Sequence, residues 1–130
     1  MMIALKVTTD CKMELVSAEN VNLLDFCESQ IGCDIPEFVH PMRLPCPYVM
    51  AIDESGLSKQ LPVNPLGSWL YQTDIHGHPI VGDLLFFKDV MTSDGPSYDT
   101  LNVTEVLKLE TLFDKVVGDL KEGRMPDAIL

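Results

Sequence analysis

The chain has 130 residues, of which 46% are hydrophobic and 22% are charged, a composition typical of one globular domain. Its net charge of −11 argues against direct binding to DNA or RNA, whose phosphates require a basic surface. No apolar run approaches the roughly 20 residues of a membrane span, and the first residues lack a signal-peptide pattern. We therefore expect a protein of the host-cell cytoplasm that binds neither membranes nor nucleic acid directly.

The first third of the chain predicts a strand pair followed by a helix. Residues 2–7 predict a short strand, and residues 13–16 are expected to pair back on it. In the sequence VNLLDFCESQIG, apolar residues recur at helical spacing: Leu23, Leu24, Cys27 and Ile31. Gly32 stands where a C-terminal cap belongs, so we predict a helix of about three turns with Asp25 and Glu28 facing outward.

The middle of the chain predicts short strands separated by turns. Four prolines in twelve residues exclude a long helix here, because each removes a backbone donor. Residues 37–40 and 48–52 are predicted strands. Residues 53–56 form a predicted turn, after which residues 57–61 are expected to complete a hairpin.

The next stretch, LPVNPLGSWLYQTDIHGHPIVGDLLFF, covers residues 61–87 and contains the one tryptophan. Asn64 before Pro65 predicts a helix start, since asparagine can cap and proline is tolerated at the first helical position. A short helix over residues 65–71 would bury Trp69 against the core. HGHP is expected to turn the chain into a strand formed by IVGDLLFF.

The C-terminal part predicts a loop and a long helix. Asp94-Gly95-Pro96 is a predicted loop, and Asn102 three residues before Glu105 resembles a capping box. Apolar residues at helical spacing then predict an amphipathic helix that ends at Gly123: Val106, Leu109, Phe113, Val116 and Leu120. The whole chain, residues 1–130, is thus predicted to form a single α+β domain. We expect a small, mainly antiparallel sheet of about five strands, two longer helices and one short helix.

The four cysteines do not predict a metal site or a disulfide. None forms the C-x-x-C pair of a zinc or thioredoxin-like motif, so we expect reduced thiols that pack as small apolar groups. The alternative is a metal set whose spacing matches no standard pattern: Cys27, Cys33, His40 and Cys46.

Catalytic motifs are weak throughout. His76 and His78 could share a metal with Asp74 if they lay in a strand, but glycine followed by His-Pro favours a turn. Asp53 and Glu54 are adjacent acids in a turn, where carboxylates are usually solvated. The sequence has no nucleophile elbow and no glycine-rich phosphate loop. We predict a protein that is not an enzyme and needs no metal or cofactor.

Two segments carry a family resemblance: AIDESGLSKQLPVNPLGSWLY and IVGDLLFF. Together with the order of elements, they resemble a family of small proteins encoded by bacteriophages and conjugative elements, catalogued as a domain of unknown function. The resemblance covers about residues 3–113 and is best over 49–87. It departs at the proline-rich residues 41–47 and in the longer last helix. It implies a phage or mobile-element origin and assigns no catalytic residues.

Acidic residues are unevenly distributed along the chain. Six acids and no lysine or arginine lie between Met13 and Met42, and residues 89–107 contain four more acids without a basic residue. We expect these segments to bind a basic partner. The predicted partner-binding residues are Asp25, Glu28, Asp34 and Glu37, with Asp89, Asp94 and Asp99 as a second cluster.

The predicted function is an acidic protein-binding module that occupies the basic groove of a host or phage protein. A nuclease of restriction or CRISPR defence, which normally holds nucleic acid, is such a partner. Three alternatives stay open: an acidic surface that only confers solubility, a regulator of element transfer or replication, and a small-molecule pocket that binds or degrades a nucleotide signal.

Overall fold

The computed structural model describes residues 1–129, which form six strands and four helices. In chain order the elements are β1 (Met2–Val7), β2 (Met13–Ala18), α1 (Leu23–Ile31), β3 (Pro36–Val39), β4 (Tyr48–Asp53), α2 (Pro65–Leu70), α3 (Thr73–His76), β5 (Leu84–Thr92), β6 (Gly95–Asp99) and α4 (Val103–Lys121).

The strands form one antiparallel sheet in the order β2-β1-β5-β4-β3. The central strand β5 pairs with β1 through residues 84–86 and with β6 through residues 88–92. The α+β fold with a mainly antiparallel sheet is therefore confirmed.

Both faces of the sheet are buried, because β5 sends alternate side chains into two separate cores. Leu84 and Phe86 join the core formed with α2 and α4, which we call the α4-side core. Leu85 and Phe87 join the core formed with α1, which we call the α1-side core. This double burial explains why LLFF is an uninterrupted apolar run.

Helix α4 matches its prediction closely. The Asn102 side chain accepts a hydrogen bond from the Glu105 N–H, and the Glu105 side chain accepts one from the Asn102 N–H, which completes the capping box. One face of the helix is buried through Val106, Leu109, Phe113, Val116 and Val117. Within the described part of the chain, no helix is both long and apolar enough to cross a bilayer.

The prediction for the buried face of α1 is partly wrong. Leu24 is 60% exposed, whereas Phe26 and Cys27 are buried. The Phe26 ring packs edge-on against Phe87 of β5 at 6.2 Å between ring centroids, and this contact sets which side of α1 faces the sheet. Gly32 caps the helix in the left-handed conformation, as predicted.

Three other predictions for secondary structure are wrong. The strand predicted for IVGDLLFF begins only at Leu84. Residues 57–60 form turns and residue 61 is not in a strand, so the predicted strand over 57–61 does not form. The predicted loop at Asp94-Gly95-Pro96 is instead the tip and start of a hairpin, because β5 continues to Thr92 and β6 pairs back on it. Pro96 is tolerated there because β6 is paired with β5 alone, so the missing backbone donor breaks no ladder on its other side.

Candidate functional site

A solvent-exposed acidic surface lies along α1. Glu28 follows Asp25 by three positions, so the two residues are neighbours on one face of the helix. Both are exposed. Leu24 lies beside them, one turn before Glu28. Phe26 and Cys27 fix the opposite face of α1 against the sheet. The carboxylates consequently point to solvent, as the sequence predicts.

This surface continues past the end of the helix. The Gly32 N–H donates to the Glu28 carbonyl at 2.9 Å and ends α1. Cys33 then turns inward, while Asp34 and Ile35 are exposed, Ile35 at 61%. The set that we call the α1 surface is Leu24, Asp25, Glu28, Asp34 and Ile35.

No basic side chain of the described residues forms an ion pair with a carboxylate of the α1 surface. Among residues 1–129, no lysine, arginine or histidine nitrogen lies within 4.0 Å of the Asp25, Glu28 or Asp34 carboxylate. Lys59 reaches the C-terminal end of α1, but its Nζ is bound to the buried Asp53 carboxylate at 2.7 Å. The hydrogen bond to Asp53 and, as a smaller contribution, the charge of Asp34 raise the pKa of Lys59, so Asp34 is partly compensated, whereas Asp25 and Glu28 form no ion pair within the described residues.

Basic residues are concentrated elsewhere in the molecule. Six of the nine lysines and arginines form ion pairs with carboxylates outside the α1 surface. Of the other three, Lys108 and Lys121 belong to α4, and Lys6 stands opposite Glu14 in the pairing of β1 with β2. None of these nine basic residues forms an ion pair with Asp25, Glu28 or Asp34 within the described residues.

Glu37 does not lie on the α1 surface, although the sequence grouped it with Asp25 and Glu28. Its register partner in β4 is Ile52, which belongs to the α4-side core. The next residue, Phe38, packs into the α1-side core. Because side chains alternate along a strand, Glu37 faces the opposite layer. Nearness in the sequence does not show whether Glu37 and the α1 surface lie on the same face of the sheet.

The second predicted cluster is also dispersed. Asp89 is bound to His40, with 2.6 Å between Oδ2 and Nε2. Asp94 lies in the tight turn between β5 and β6. Asp99 is the register partner of Lys88, which points toward α4, so it faces the other side of the sheet from Asp89. These three carboxylates do not share a surface.

The two histidines of HGHP are bound into the local backbone. His76 ends α3, and its Nε2 lies 2.6 Å from the Tyr71 carbonyl oxygen. Its Nδ1 accepts a hydrogen bond from the His78 backbone N–H. Both ring nitrogens of His76 are therefore engaged, which leaves no free lone pair for a shared metal. The geometry agrees with the interpretation of HGHP as a turn.

The alternative metal set of cysteines and His40 is not assembled. Cys27 and Cys33 are buried in the α1-side core, whereas Cys46 is exposed and His40 is bound to Asp89. Burial raises the pKa of Cys27 to about 12, so its thiol stays protonated and is a poor ligand or nucleophile. Within residues 1–129, no group of three or more potential ligands is arranged to hold a metal ion.

A second feature, which surrounds Trp69, is not predicted from the sequence. The Arg43 guanidinium lies over the Trp69 ring, 4.9 Å from its centroid, and forms two hydrogen bonds with the Asp74 carboxylate. The hydrogen bond from Arg43 lowers the pKa of Asp74. Two cavities, of about 550 and 470 Å³, flank the indole. Arg43 stands in a proline-rich segment with no periodic pattern, so no sequence signal linked it to Trp69.

Comparison with known proteins finds no match: no family model matches the chain, and no curated sequence or solved structure matches it either. The resemblance to proteins of phages and conjugative elements therefore stays a prediction.

Proposed function

We propose that this protein is a non-enzymatic binding module whose α1 surface docks on a basic partner protein. The observation that carries the proposal is the combination of three exposed carboxylates that form no ion pair within the described residues and two exposed large apolar side chains, Leu24 and Ile35. Leu24 precedes Asp25 and Ile35 follows Asp34 in the chain, so each exposed apolar side chain is next in sequence to a carboxylate, and solubility alone does not require it there.

The two kinds of side chain perform different tasks in such an interface. The carboxylates of Asp25, Glu28 and Asp34 attract a positively charged partner and speed its association. Leu24 and Ile35 lose contact with water on docking, and this burial lowers the rate of dissociation. Because exposed charges are screened over about 8 Å at physiological ionic strength, the association rate should fall as salt is added.

The chemistry of the surface favours one class of partner. A protein that normally binds nucleic acid exposes a groove of lysine and arginine side chains, and a cluster of carboxylates competes for that groove. The resemblance of residues 51–71 and 80–87 to phage and conjugative-element proteins supports a nuclease of host defence as the partner. The protein then acts as its inhibitor.

A pair of charge reversals tests the proposal. The variant Asp25→Lys/Glu28→Lys changes two exposed residues of α1. The control variant Glu110→Lys/Asp114→Lys makes the same change in net charge on α4, where neither carboxylate forms an ion pair within the described residues. Wild type and both variants serve as tagged baits in a bacterial lysate, and captured proteins are identified by mass spectrometry.

The proposal expects one basic protein that wild type and the α4 variant capture and the α1 variant loses. With that protein purified, the α1 variant should associate about tenfold more slowly at low salt, and the difference should shrink as salt increases. Equal capture by the two variants, or loss with the α4 variant alone, would place the interface outside the α1 surface.

A further inference from the structure

Trp69 is buried at 6% exposure, yet its polar atom has no partner. No hydrogen-bond acceptor within the described residues reaches its Nε1–H, and this is the one buried side-chain nitrogen or oxygen there without a bond. An unbonded buried donor destabilises the fold relative to a bonded one. Most such groups in folded proteins are bonded, so an exception needs an explanation.

The two cavities beside Trp69 are separated only by a short C-terminal segment. Both are lined by Trp69, Met125 and Pro126, so these residues form the wall between them. Residues 125–129 make no hydrogen bonds within the part of the chain that the structure describes. Pro126 is buried, Ile129 packs against the α4-side core, and Asp127 forms an exposed ion pair with Lys115. Residues 125–129, which we call the C-terminal strap, are held mainly by apolar contacts.

The chemistry of the larger cavity restricts what it can bind. Its lining is mostly apolar and contains no carboxylate, in a chain with 20 acidic residues. Arg43 contributes the only charge of this cavity, and its two hydrogen bonds to Asp74, at 2.7 and 2.9 Å, neutralise that charge. The smaller cavity adds Asp74 and Arg124 to the lining, and both are ion-paired. A volume of about 550 Å³ lies within the usual range of small-molecule sites.

We propose that the Trp69 cavities are a binding site for a small uncharged molecule with an apolar body and a carbonyl oxygen. The carbonyl oxygen accepts a hydrogen bond from Trp69 Nε1, and the apolar body displaces Met125 and Pro126 of the C-terminal strap. Nε1 has almost no solvent-accessible surface, so a ligand reaches it only when a neighbouring segment moves, and Met125 and Pro126 line both cavities beside the indole. An anionic ligand is disfavoured, because Arg43 is already paired and the protein carries a net charge of −11.

A matched pair of probes tests the role of the acceptor. Acetophenone and ethylbenzene have nearly the same shape, and only acetophenone carries a carbonyl oxygen. The chain has one tryptophan, so its indole N–H gives a single signal in a nitrogen–proton correlation spectrum. Acetophenone at millimolar concentration should shift that signal downfield in a saturable manner and bind about tenfold more tightly than ethylbenzene. Equal affinity of the two probes, or no saturable shift with acetophenone, would overturn the proposal.

Two variants separate the hydrogen bond from the strap. Trp69→Phe keeps an aromatic ring but removes Nε1, so acetophenone should bind it no better than ethylbenzene does. The backbone signals of Gln72 and Met125 report binding in that variant. Ile129→Ser loosens the strap and should tighten acetophenone binding severalfold, because less binding energy is spent on displacement.

The control variant is Leu107→Ser, which changes an exposed apolar residue of α4 outside the lining of both cavities. Its affinity for acetophenone should equal that of wild type. Unchanged or weaker acetophenone binding by Ile129→Ser would contradict the role of the strap. This test does not depend on whether Trp69→Phe folds.

Discussion

The Asn64 side chain accepts a hydrogen bond from the Gly67 backbone N–H at 3.0 Å and so caps α2. At the same time its amide group donates to the carbonyl oxygens of Val7 and Gly82, at 3.1 and 3.0 Å. One fully buried side chain therefore joins the start of α2 to the end of β1 and to the chain entering β5. The sequence predicts the cap alone.

Substitution of Asn64 should show that its donors matter as much as the cap. Asn64→Ala leaves three buried backbone groups without partners and should lower the free energy of unfolding by on the order of 3–5 kcal/mol. Asn64→Asp keeps the cap but places a carboxylate against two carbonyl oxygens, so it should be at least as damaging. Urea unfolding measures both values.

The control for Asn64→Asp is Asn102→Asp at the exposed start of α4. Asparagine and aspartate cap helices about equally well, so this change should alter stability by less than about 0.5 kcal/mol. A neutral effect of Asn64→Asp would show that the bonds to Val7 and Gly82 contribute little.

Substitution by alanine should change the stability of the protein in opposite directions at two helical glycines. A Cβ at Gly67 would lie 2.5 Å from Leu84 Cδ2 and 2.9 Å from Ile80 Cγ2, so Gly67→Ala should destabilise the protein by about 1–3 kcal/mol. Gly118 in α4 has no atom within 4 Å of that position, so Gly118→Ala should stabilise it by about 0.5–1 kcal/mol. Thermal unfolding of both variants gives the signs. A stabilising Gly67→Ala would mean that Leu84 and Ile80 can move aside.

Burial of Trp69, predicted from the sequence, is confirmed. Its contribution to the free energy of unfolding can be measured. Trp69→Ala removes the aromatic surface under Arg43 and should lower the free energy of unfolding by about 3–5 kcal/mol. Trp69→Phe should cost clearly less, because it retains a ring and removes an unbonded donor. Denaturant titration of the three proteins makes the comparison. A Trp69→Ala variant that unfolds close to the wild-type midpoint would contradict the packing described above.

Much of the fold follows from local patterns in the sequence. The capping box at Asn102, the Asn64-Pro65 helix start and the Gly32 cap are short-range devices, and each lies where the sequence places it. The hairpin of β5 and β6 was missed because Asp94-Gly95-Pro96 has loop-like composition. Its pairing depends on contact with a neighbouring strand, which local propensity does not encode.

The candidate surface could be predicted where its residues lie on one helix or directly follow it. Asp25 and Glu28 lie on the same helix, so their spacing alone places them together. Glu37 and Asp99 lie in strands, and their direction depends on strand register, which the sequence leaves open. The Arg43–Trp69–Asp74 group joins three segments, so only the folded structure brings it together.

The folding stability of the protein should depend on pH through the Glu105 carboxyl. Burial raises the pKa of its carboxyl, but hydrogen bonds from the Asn102 N–H and Lys88 outweigh burial and lower the pKa below its ordinary value of 4.5. A carboxyl whose pKa is lower in the folded state stabilises the fold above its unfolded pKa. That contribution is lost as the pH falls through the folded pKa.

Comparison with Glu105→Gln isolates this contribution. Glutamine still accepts the Asn102 hydrogen bond but loses the charge that attracts Lys88, so the variant should be about 1 kcal/mol less stable near pH 7. The difference in unfolding free energy between wild type and variant should narrow as the pH falls below 4.5. Protonation makes the Glu105 side chain neutral, as glutamine is at every pH. Glu110→Gln, whose carboxylate forms no ion pair within the described residues, should show a small gap at every pH. Urea unfolding from pH 7 down to the acid transition measures each gap, and a constant gap for Glu105→Gln would exclude the ion pair as its cause.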